Sequence, residues 1–501
     1  MGVDVRAFGA IGDGKADDTA AFARAIASVN QGGTVLVPRG TFMLDQLTFV
    51  SSKSLALRGT GAASMLKLRS APSQDIQGVT SWLLLNGCED CAVANLQMDL
   101  NNLEATAIGV QASSGINISG CRIHNSPGTI GDPRPALVLH STSGAVIEGN
   151  QVFDVSTWFY FGMSTHEGQI SDCVLSANVF RNAKATSAAN CCRSQIIGNT
   201  FDTSLYCGIE LGGLGRPMAD WAICGNNFSG CKEPALQVSA LEPGGQTGYG
   251  TITGNTFSNG TSRDSCGVYC FGDVCDVVIA NNLIRDCAKG IVLTVGAAGG
   301  CRRFSVIGNH VCDTRSAAGP CRLSVGIELG TFTSGGGKVS GAALADINVD
   351  GNSIDNCLDS GISLSAGSGG ATMARCRIAE NRMSRCANTG VSIGTHPVQW
   401  TSMTLARNEC SAPIRLSIPA GEVGEWSIDA NHSTRSPDAP LYLLAGSGGA
   451  PRISGLLCSG SPEGKLVAAA GSTCINTEGG KSSTLWVKES GSTDVGWVAV
   501  A

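Results

Sequence analysis

The sequence has no surplus of positive charge, no long apolar run and few aromatic residues. Its formal net charge is −6 over 501 residues, so it offers no basic stripe for phosphates, and nucleic acid is not an expected partner. No apolar run approaches the length of about 18 residues that a membrane-spanning helix needs, so no membrane insertion is expected. The first residues, from Met1 to Arg6, lack the apolar core of a secretory signal peptide. The sequence therefore predicts a mature or trimmed product, or export by another route such as release with a virion.

A recurring Gly-Asn-x-(Phe/Ile) motif, preceded by a short apolar strand, is the main positive feature of the chain. It runs from about residue 150 to 430, with spacings of 21 to 43 residues. A period in this range is typical of a solenoid, in which each repeat buries its apolar face by stacking on its neighbours. We expect the asparagines to stack at one corner, where each side-chain amide can bond the same group one turn away. The anchoring residues are Asn150, Asn178, Asn199, Asn226, Asn255, Asn281, Asn309, Asn352, Asn381, Asn408 and Asn431.

The 22 cysteines are too sparse for a disulfide scaffold. Equal positions in successive turns stack, so recurring cysteines predict a ladder of small buried thiols, mostly reduced, with several disulfides as the alternative. Of Cys191 and Cys192, which alternate across a strand, we expect at most one in the core. Cys88-x-x-Cys91 has no second pair at zinc-finger spacing, so we predict neither a metal nor a cofactor. Three cysteines recur five residues after the asparagine of their repeat: Cys231, Cys357 and Cys386.

Residues 1–60 are predicted to form an N-terminal cap and the first turns. Asp17 and Asp18 can N-cap a helix from Ala20 to Val29, which would cover unpaired strand groups at the open end of a solenoid. The segment from Val5 to Phe42 closely resembles the N-terminal motif of pectate-lyase-like β-helix proteins, a motif that polygalacturonases and phage tailspikes share. The resemblance implies an all-β fold: a right-handed single-stranded parallel β-helix over residues 61–435 with an N-terminal capping helix.

The C-terminal residues 436–501 are predicted to form a separate β module. The asparagine repeat is absent there, and short strands alternate with Gly/Ser turns. The segment resembles a small β module found at the C-termini of phage tail fibre and tailspike proteins, which implies a role in trimerisation. Its apolar residues are too few for a core of their own, so we expect them to pack against other subunits of a homotrimer: Leu485, Trp486, Val487, Trp497 and Val498.

One strand of each repeat has the form Gly/Pro-apolar-x-apolar, in which residue x points outward because side chains alternate. In the β-helix enzymes resembled here, this strand face commonly forms the sugar-binding groove. Residue x is successively Val138, Tyr160, Asn190, Glu210, Gln237, Tyr269, Val292, Glu328, Ser363, Ser392 and Arg415.

Glu210 is the principal catalytic candidate. With strands about 4.8 Å apart, it is expected two rungs, roughly 10 Å, from both Tyr160 and Tyr269. Tyrosine rings could stack on sugars while the carboxyl group addresses a glycosidic oxygen. Glu328 is a second candidate in a near-identical Gly-Ile-Glu-Leu-Gly sequence, but at roughly 19 Å it is too far from Glu210 to form a glycosidase carboxyl pair. The alternative for each is a solvated surface carboxylate. A partner acid must come from an adjacent subunit or from a loop residue: Asp273, Asp220, Glu167 or Asp264.

The stretch from Trp158 to Glu167 is the most aromatic part of the chain. We predict Trp158, Tyr160, Tyr269 and Gln237 as sugar-binding residues. His166 with Glu167 can serve as an acid/base pair and faintly resembles the Asp-Pro-His-Glu signature of alginate epimerases and lyases, with Asp-Pro replaced. The polygalacturonase blocks Asn-Thr-Asp, Gly-His-Gly and Arg-Ile-Lys are missing, as is the Asp-rich calcium cluster of pectate lyases, so neither pectinase activity carries over.

Three functions fit this sequence. The first is a virion-associated, trimeric, tailspike-like depolymerase that binds and hydrolyses a surface polysaccharide, located in a tail or surface spike. The second is a non-catalytic receptor-binding or decorating spike, and the third a free extracellular polysaccharide lyase or epimerase. Expected partners are a polysaccharide, further copies of the chain and other virion proteins. Tailspikes usually carry a particle-binding domain before the β-helix, whereas this chain starts at the cap motif, which argues against a baseplate role unless a segment was trimmed.

Overall fold

The computed structural model describes residues 2–73, 75–76, 79–127, 134–162, 170–213, 217–240, 245–296, 299–313, 322–330, 342–365, 372–394, 399–417, 426–434, 442–445, 452–454, 456–458, 460–466 and 468–500. They form the predicted all-β, right-handed, single-stranded parallel β-helix with a capping helix and a small C-terminal β module. The chain divides into two compact units, residues 1–237 and 238–501. In each unit the strands stack into three ladders, which we call faces 1, 2 and 3.

The first unit opens with strands Gly2–Asp4, Asp13–Asp17, Gly33–Leu36 and Gly40–Leu44, the 3-10 helix Val5–Phe8 and the α-helix Thr19–Ser28. Two long strands, Leu55–Leu68 and Ala92–Asp99, pass through faces 1 and 2. Face 1 continues with Asn117–Ser119, Val146–Glu148, Val174–Ser176, Gln195–Ile197 and Trp221–Cys224. Face 2 continues with Arg122–His124, Gln151–Val155, Val179–Ala183, Thr200–Ser204 and Asn227–Ser229. Face 3 comprises Leu47–Val50, Val79–Asn86, Thr106–Gln111, Pro135–His140, Thr157–Phe161, Ser187–Ala189, Ile209–Gly213 and Pro234–Ala240. Short strands are Asp75–Ile76, Ile170–Ser171 and Cys191–Cys192.

The second unit repeats this arrangement. Face 1 comprises Thr247–Thr253, Val274–Ala280, Arg302–Ile307, Ala343–Asp350, Thr372–Ala379, Gln399–Ala406, Trp426–Asp429 and Arg452–Ile453. Face 2 comprises Thr256–Ser258, Leu283–Arg285, His310–Cys312, Ser353–Asp355, Arg382–Ser384, Glu409–Cys410 and His432–Ser433. Face 3 comprises Cys266–Gly272, Lys289–Gly296 (which pairs with Gly299–Gly300), Val325–Gly330, Ser360–Ser365, Thr389–Ile393, Ile414–Ser417 and Tyr442–Ala445. The C-terminal sheet comprises Leu456–Cys458, Thr473–Asn476, Leu485–Lys488 and Trp497–Val500. Strands of the β-helix ladders thus continue beyond the expected boundary at residue 436.

The capping helix spans Thr19–Ser28, one residue before the predicted Ala20–Val29. Asp17 Oδ1 accepts a hydrogen bond from the backbone N–H of Thr19 at 3.0 Å. The carboxylate of Asp18 makes no capping bond and instead accepts hydrogen bonds from two backbone N–H groups of the Gly-rich turn, one of them Gly12 at 3.2 Å. The two aspartates therefore have different tasks, since one holds the start of the helix and the other fixes the turn.

The asparagine ladder is confirmed with one change. Asn199 Oδ1 accepts hydrogen bonds from the backbone N–H and side-chain amide of Asn178, both at 2.9 Å. Asn282, not the expected Asn281, belongs to the ladder, because Asn281 takes the position of the preceding glycine with φ 55°. Asparagine tolerates this left-handed conformation, so either residue was compatible with the sequence pattern. The ladder comprises Asn150, Asn178, Asn199 and Asn226 in the first unit and Asn255, Asn282, Asn309, Asn352, Asn381, Asn408 and Asn431 in the second.

The cysteines of the described residues are all outside disulfides, and most are buried. The expectation for Cys191 and Cys192 was wrong, because both side chains are buried, at 5 % and 8 % exposure. Their two-residue strand pairs with Ile170–Ser171, and Cys192 Sγ donates to the carbonyl of Pro217 at 3.6 Å. A further segment of chain therefore covers the side of the strand that would otherwise face solvent.

Among the described residues, no helix has the length and apolar composition that a membrane span requires.

Candidate functional site

The outward column of face 3 brings Tyr160 and Glu210 close together in the first unit. Tyr160 pairs with Ala188, and Ala188 pairs with Glu210. Glu210 therefore lies two rungs from Tyr160, as predicted. The rung between them holds Ala188, so the prediction of Asn190 was wrong. The strand Ser187–Ala189 lacks the Gly or Pro that marks residue x elsewhere, which is why the sequence pattern missed Ala188.

Glu210 is half-buried, and a neighbouring amide fixes its orientation. Gln237 Nε2 donates to Glu210 Oε1 at 2.9 Å. The same Gln237 side chain accepts, through Oε1, a hydrogen bond from Cys207 Sγ at 3.6 Å. Gln237, predicted as a sugar-binding residue, thus also positions the carboxyl group of the principal catalytic candidate.

A second carboxyl group, which the sequence reasoning missed, lies near this cluster. Cys207 Sγ is 3.6 Å from Glu233 Oε2. The pKa of the Cys207 thiol is raised above its usual value, first by burial and then by the negative charges of Glu233 and Glu210. Both carboxylates therefore lie close enough to influence one thiol, and that thiol stays protonated. Glu233 was missed because it directly precedes the strand Pro234–Ala240 and so falls outside the outward positions that alternation identifies.

Tyr160 and Trp158 are more buried than the sequence indicated. Only 9 % of Tyr160 is exposed, and its pKa is raised mainly by burial and further by the charge of Glu210. Its phenol thus remains a proton donor beside Glu210, but little ring surface is left for stacking. The prediction of Trp158 as a sugar-binding residue was wrong: its side chain is fully buried, with ring centroids 5.8 Å from Phe180 and 5.6 Å from Phe201. Trp158 packs in the core with these face 2 side chains.

The second unit contains the same register of tyrosine, aliphatic residue and glutamate. Tyr269 pairs with Val292, and Val292 with Glu328. Glu328 is only 9 % exposed, and its Oε2 lies 2.7 Å from Lys289 Nζ. Ser365 Oγ donates to Oε1 at 3.4 Å. Both carboxylate oxygens of Glu328 are engaged within the protein, and its ion pair with Lys289 makes it a poor acid–base candidate.

Two further candidates, Asp273 and Tyr269, lie in the second unit and have partners there. Asp273 Oδ1 forms an ion pair with Arg302 Nη2 at 2.5 Å in the second unit. Tyr269 is partly exposed and packs on Phe271, with ring centroids 5.2 Å apart. His166 and Glu167 lie outside the described residues. Among the residues that the structure does describe, no group of three or more His, Cys, Asp or Glu side chains could hold a metal ion. The two other loop acids are exposed: Asp220 and Asp264.

The comparison with protein families matches the N-terminal part of the chain. Residues 2–190 match the family described as rhamnogalacturonase A/epimerase, pectate lyase-like. This match confirms the resemblance to pectate-lyase-like β-helix proteins on which the fold prediction rested. No curated protein matches the sequence.

Solved β-helix structures similar to this chain differ widely in their named roles. PfbA, a surface adhesin of Streptococcus pneumoniae, has 15 % identity and a TM-score of 0.49, covering 78 % of this chain and 93 % of that chain. The catalytic unit of a GH87 alpha-1,3-glucanase from Streptomyces thermodiastaticus has 15 % identity and a TM-score of 0.42, covering 81 % and 68 %. The Dettilon tailspike protein has 14 % identity and a TM-score of 0.37, covering 87 % and 69 %. At these values the likenesses carry no argument about function.

Proposed function

We propose that this protein is a polysaccharide depolymerase of the tailspike type, which hydrolyses glycosidic bonds on face 3 of the first unit. The observation that carries the proposal is the half-buried Glu210, oriented by Gln237, beside the protonated Tyr160 and near a second carboxyl group, Glu233. Glycoside hydrolysis needs two carboxyl groups. One protonates the leaving oxygen, and the other activates water or attacks the sugar.

Each residue of this cluster has its own role in the proposed reaction. Glu210 is the principal acid or base and Glu233 its partner. Tyr160 donates a hydrogen bond to a substrate oxygen beside the glycosidic bond, which suits its raised pKa. Gln237 keeps Glu210 in position. His166 and Glu167 stay predicted as a supporting acid/base pair.

We further propose that the active form is a homotrimer joined through the C-terminal sheet and carried on a virion. Ile475 lies opposite Leu485, and Leu485 lies opposite Val500, on three neighbouring strands. Their side chains are 40–42 % exposed, so an apolar strip crosses the sheet. Exposed apolar strips of this kind are typical of surfaces that another chain covers. Further copies of this chain, which present the same strip, are the proposed cover.

Product analysis tests the chemistry. The protein should be incubated with a panel of capsular and algal polysaccharides while reducing ends and unsaturated, ultraviolet-absorbing products are followed. A hydrolase releases reducing ends without the ultraviolet signal. A signal that grows with the reducing ends would instead indicate a lyase, and no cleavage of any polymer would favour the non-catalytic spike.

A further inference from the structure

The C-terminal sheet buries few apolar side chains. Among the described residues from Leu456 to Val500, these are Leu456, Ala468 and Trp497, together with Cys474. A module with so small a core usually needs a further bond to hold its strands together, and in proteins outside the cell that bond is commonly a disulfide. The sheet contains two cysteines that could form one: Cys458 and Cys474.

The thiols of these two cysteines meet across neighbouring parallel strands. Leu456 pairs with Cys474, and Cys458 pairs with Asn476, so both cysteine side chains lie on the same side of the sheet. Cys474 Sγ donates to Cys458 Sγ at 3.0 Å. The sulfurs of a disulfide are about 2.05 Å apart, so a shift of about 1 Å would join them. The pairing of the strands need not change.

The backbone on either side holds both cysteines in this arrangement. The backbone N–H of Thr477 donates to the carbonyl of Cys458 at 2.8 Å, and the N–H of Gly460 donates to Asn476 Oδ1 at 2.8 Å. On its other edge, the strand of Cys474 pairs with the strand of Trp486. The short distance between the sulfurs is therefore set by the register of three strands.

Exposure gives the two thiols different roles and separates them from the thiols inside the β-helix. Cys458 is half-buried, so a dissolved oxidant can reach it, whereas Cys474 is fully buried. Burial raises the pKa of the Cys474 thiol well above its ordinary value, and the neighbouring Cys458 raises it further. Cys88 and Cys91 also lie side by side, but neither is more than 1 % exposed. Thiol reactivity requires access, so Cys458 is expected to react first.

We propose that Cys458 and Cys474 form a disulfide bond when the protein meets a low-molecular-weight disulfide such as oxidised glutathione. The Cys458 thiolate attacks one sulfur of the oxidant, and one glutathione leaves as its thiolate. That thiolate takes the proton of Cys474, whose sulfur attacks Cys458 Sγ and releases the second glutathione. Two protein thiols are oxidised, one oxidant molecule is reduced to two thiols, and no other reactant is needed.

The bond fastens the C-terminal sheet to the end of the β-helix. The strand Leu456–Cys458 follows the last face 1 strand, Arg452–Ile453, and the bond joins it to the strand Thr473–Asn476. It closes a loop of about 15 residues, which limits the freedom of the opened chain. The bond stays open in a reducing compartment and closes after release to an oxidising exterior. It requires neither hydrolysis at Glu210 nor assembly of a trimer.

Peptide mapping of the full chain tests the bond directly. Trypsin cleaves after Lys465, between the two cysteines, and places them in the separate peptides 453–465 and 466–481. The native protein is treated with oxidised glutathione, denatured, blocked at its remaining thiols and digested without reductant. Mass spectrometry should find the two peptides joined, and reduction should separate them. Cys458→Ser should abolish the joined pair, whereas Cys224→Ser, at another half-buried cysteine, should leave it unchanged.

Limited proteolysis of the native protein tests what the bond does. The oxidised chain should lose its C-terminal sheet about 10–100-fold more slowly than the reduced chain, as expected for closure of a loop of this length. Cys458→Ser should be digested at the same rate in both conditions. The proposal is overturned if the two peptides stay separate after oxidation, if they join only in chains that run as dimers on a non-reducing denaturing gel, or if reduction leaves the rate of proteolysis unchanged.

Discussion

Replacing one asparagine of the internal ladder should destabilise the protein far more than replacing an exposed asparagine beside it. Asn199 is 1 % exposed, and its Oδ1 accepts from the backbone N–H of Asn178 at 2.9 Å while its Nδ2 donates to the carbonyl of Leu175 at 2.8 Å. Asn199→Leu preserves the size of the side chain but leaves both of these buried backbone groups without that partner. The side chains of Asn178 and Asn226 keep other hydrogen bonds, so they add little to the loss.

The expected loss follows from those two groups. A buried polar group left without a partner costs about 1–3 kcal/mol, so Asn199→Leu, which affects two such groups, should lower the free energy of unfolding by about 2–6 kcal/mol. Asn227 lies on the next rung and is exposed, so Asn227→Leu should change that free energy by less than about 0.5 kcal/mol. Urea unfolding followed by far-ultraviolet circular dichroism measures both variants. Equal shifts in the two variants would refute the assignment of the ladder as a stabilising element.

Three further predictions address other features of the chain. Thiol titration after denaturation without reductant should count a large majority of the 22 cysteines, and a count near zero would show instead that they form disulfides. Deleting residues 455–501, or introducing Leu485→Asp, should lower the yield of trimer more than it unfolds the β-helix. Ile307→Asp, at another exposed aliphatic residue, is the control and should leave the yield of trimer unchanged. A monodisperse monomer of the unmodified chain in light scattering would contradict this prediction. The phenol of Tyr160 should ionise above the usual pKa of about 10, so its contribution to stability holds below pH 10 and is lost as the pH rises through the raised pKa. In an ultraviolet titration of tyrosine ionisation, Tyr160→Phe should remove a transition that occurs above pH 10. If the variant instead loses a transition near pH 10, Tyr160 is not buried as described.

The fold could be predicted because one residue type, asparagine, occupies the same corner of most repeats. An asparagine at the corner supplies both a donor and an acceptor to adjacent rungs, so it recurs on successive rungs from Asn150 to Asn431, whereas Cys121 takes its place on the rung before Asn150. The same rule failed by one residue at Asn281 and Asn282, since asparagine also suits the left-handed position that glycine holds elsewhere. The sequence pattern also did not identify Ala188 as the outward residue of its face 3 strand, because the strand Ser187–Ala189 lacks the Gly or Pro that precedes the outward residue elsewhere.

The candidate site could be predicted only where simple alternation along a strand holds. Glu210 and Gln237 lie on the outward column, and the structure joins them directly. Trp158 breaks the pattern because its ring turns into the core against Phe180 and Phe201. Glu233 lies before its strand begins, so only the three-dimensional path of the chain places it near Cys207.

We propose that Glu210 carries the acid–base chemistry of polysaccharide hydrolysis. The most direct measurement is the rate of reducing-end release by the unmodified chain and by Glu210→Gln on the same polymer, with Glu148→Gln, an exposed carboxylate on face 1, as control. General acid–base catalysis typically contributes about 10²–10⁴-fold. Glu210→Gln should therefore lower turnover by about that factor while binding and trimer stability stay nearly intact, and Glu148→Gln should be unaffected. A Glu210→Gln variant with undiminished turnover would contradict this role of Glu210 and assign the chemistry to another part of the molecule.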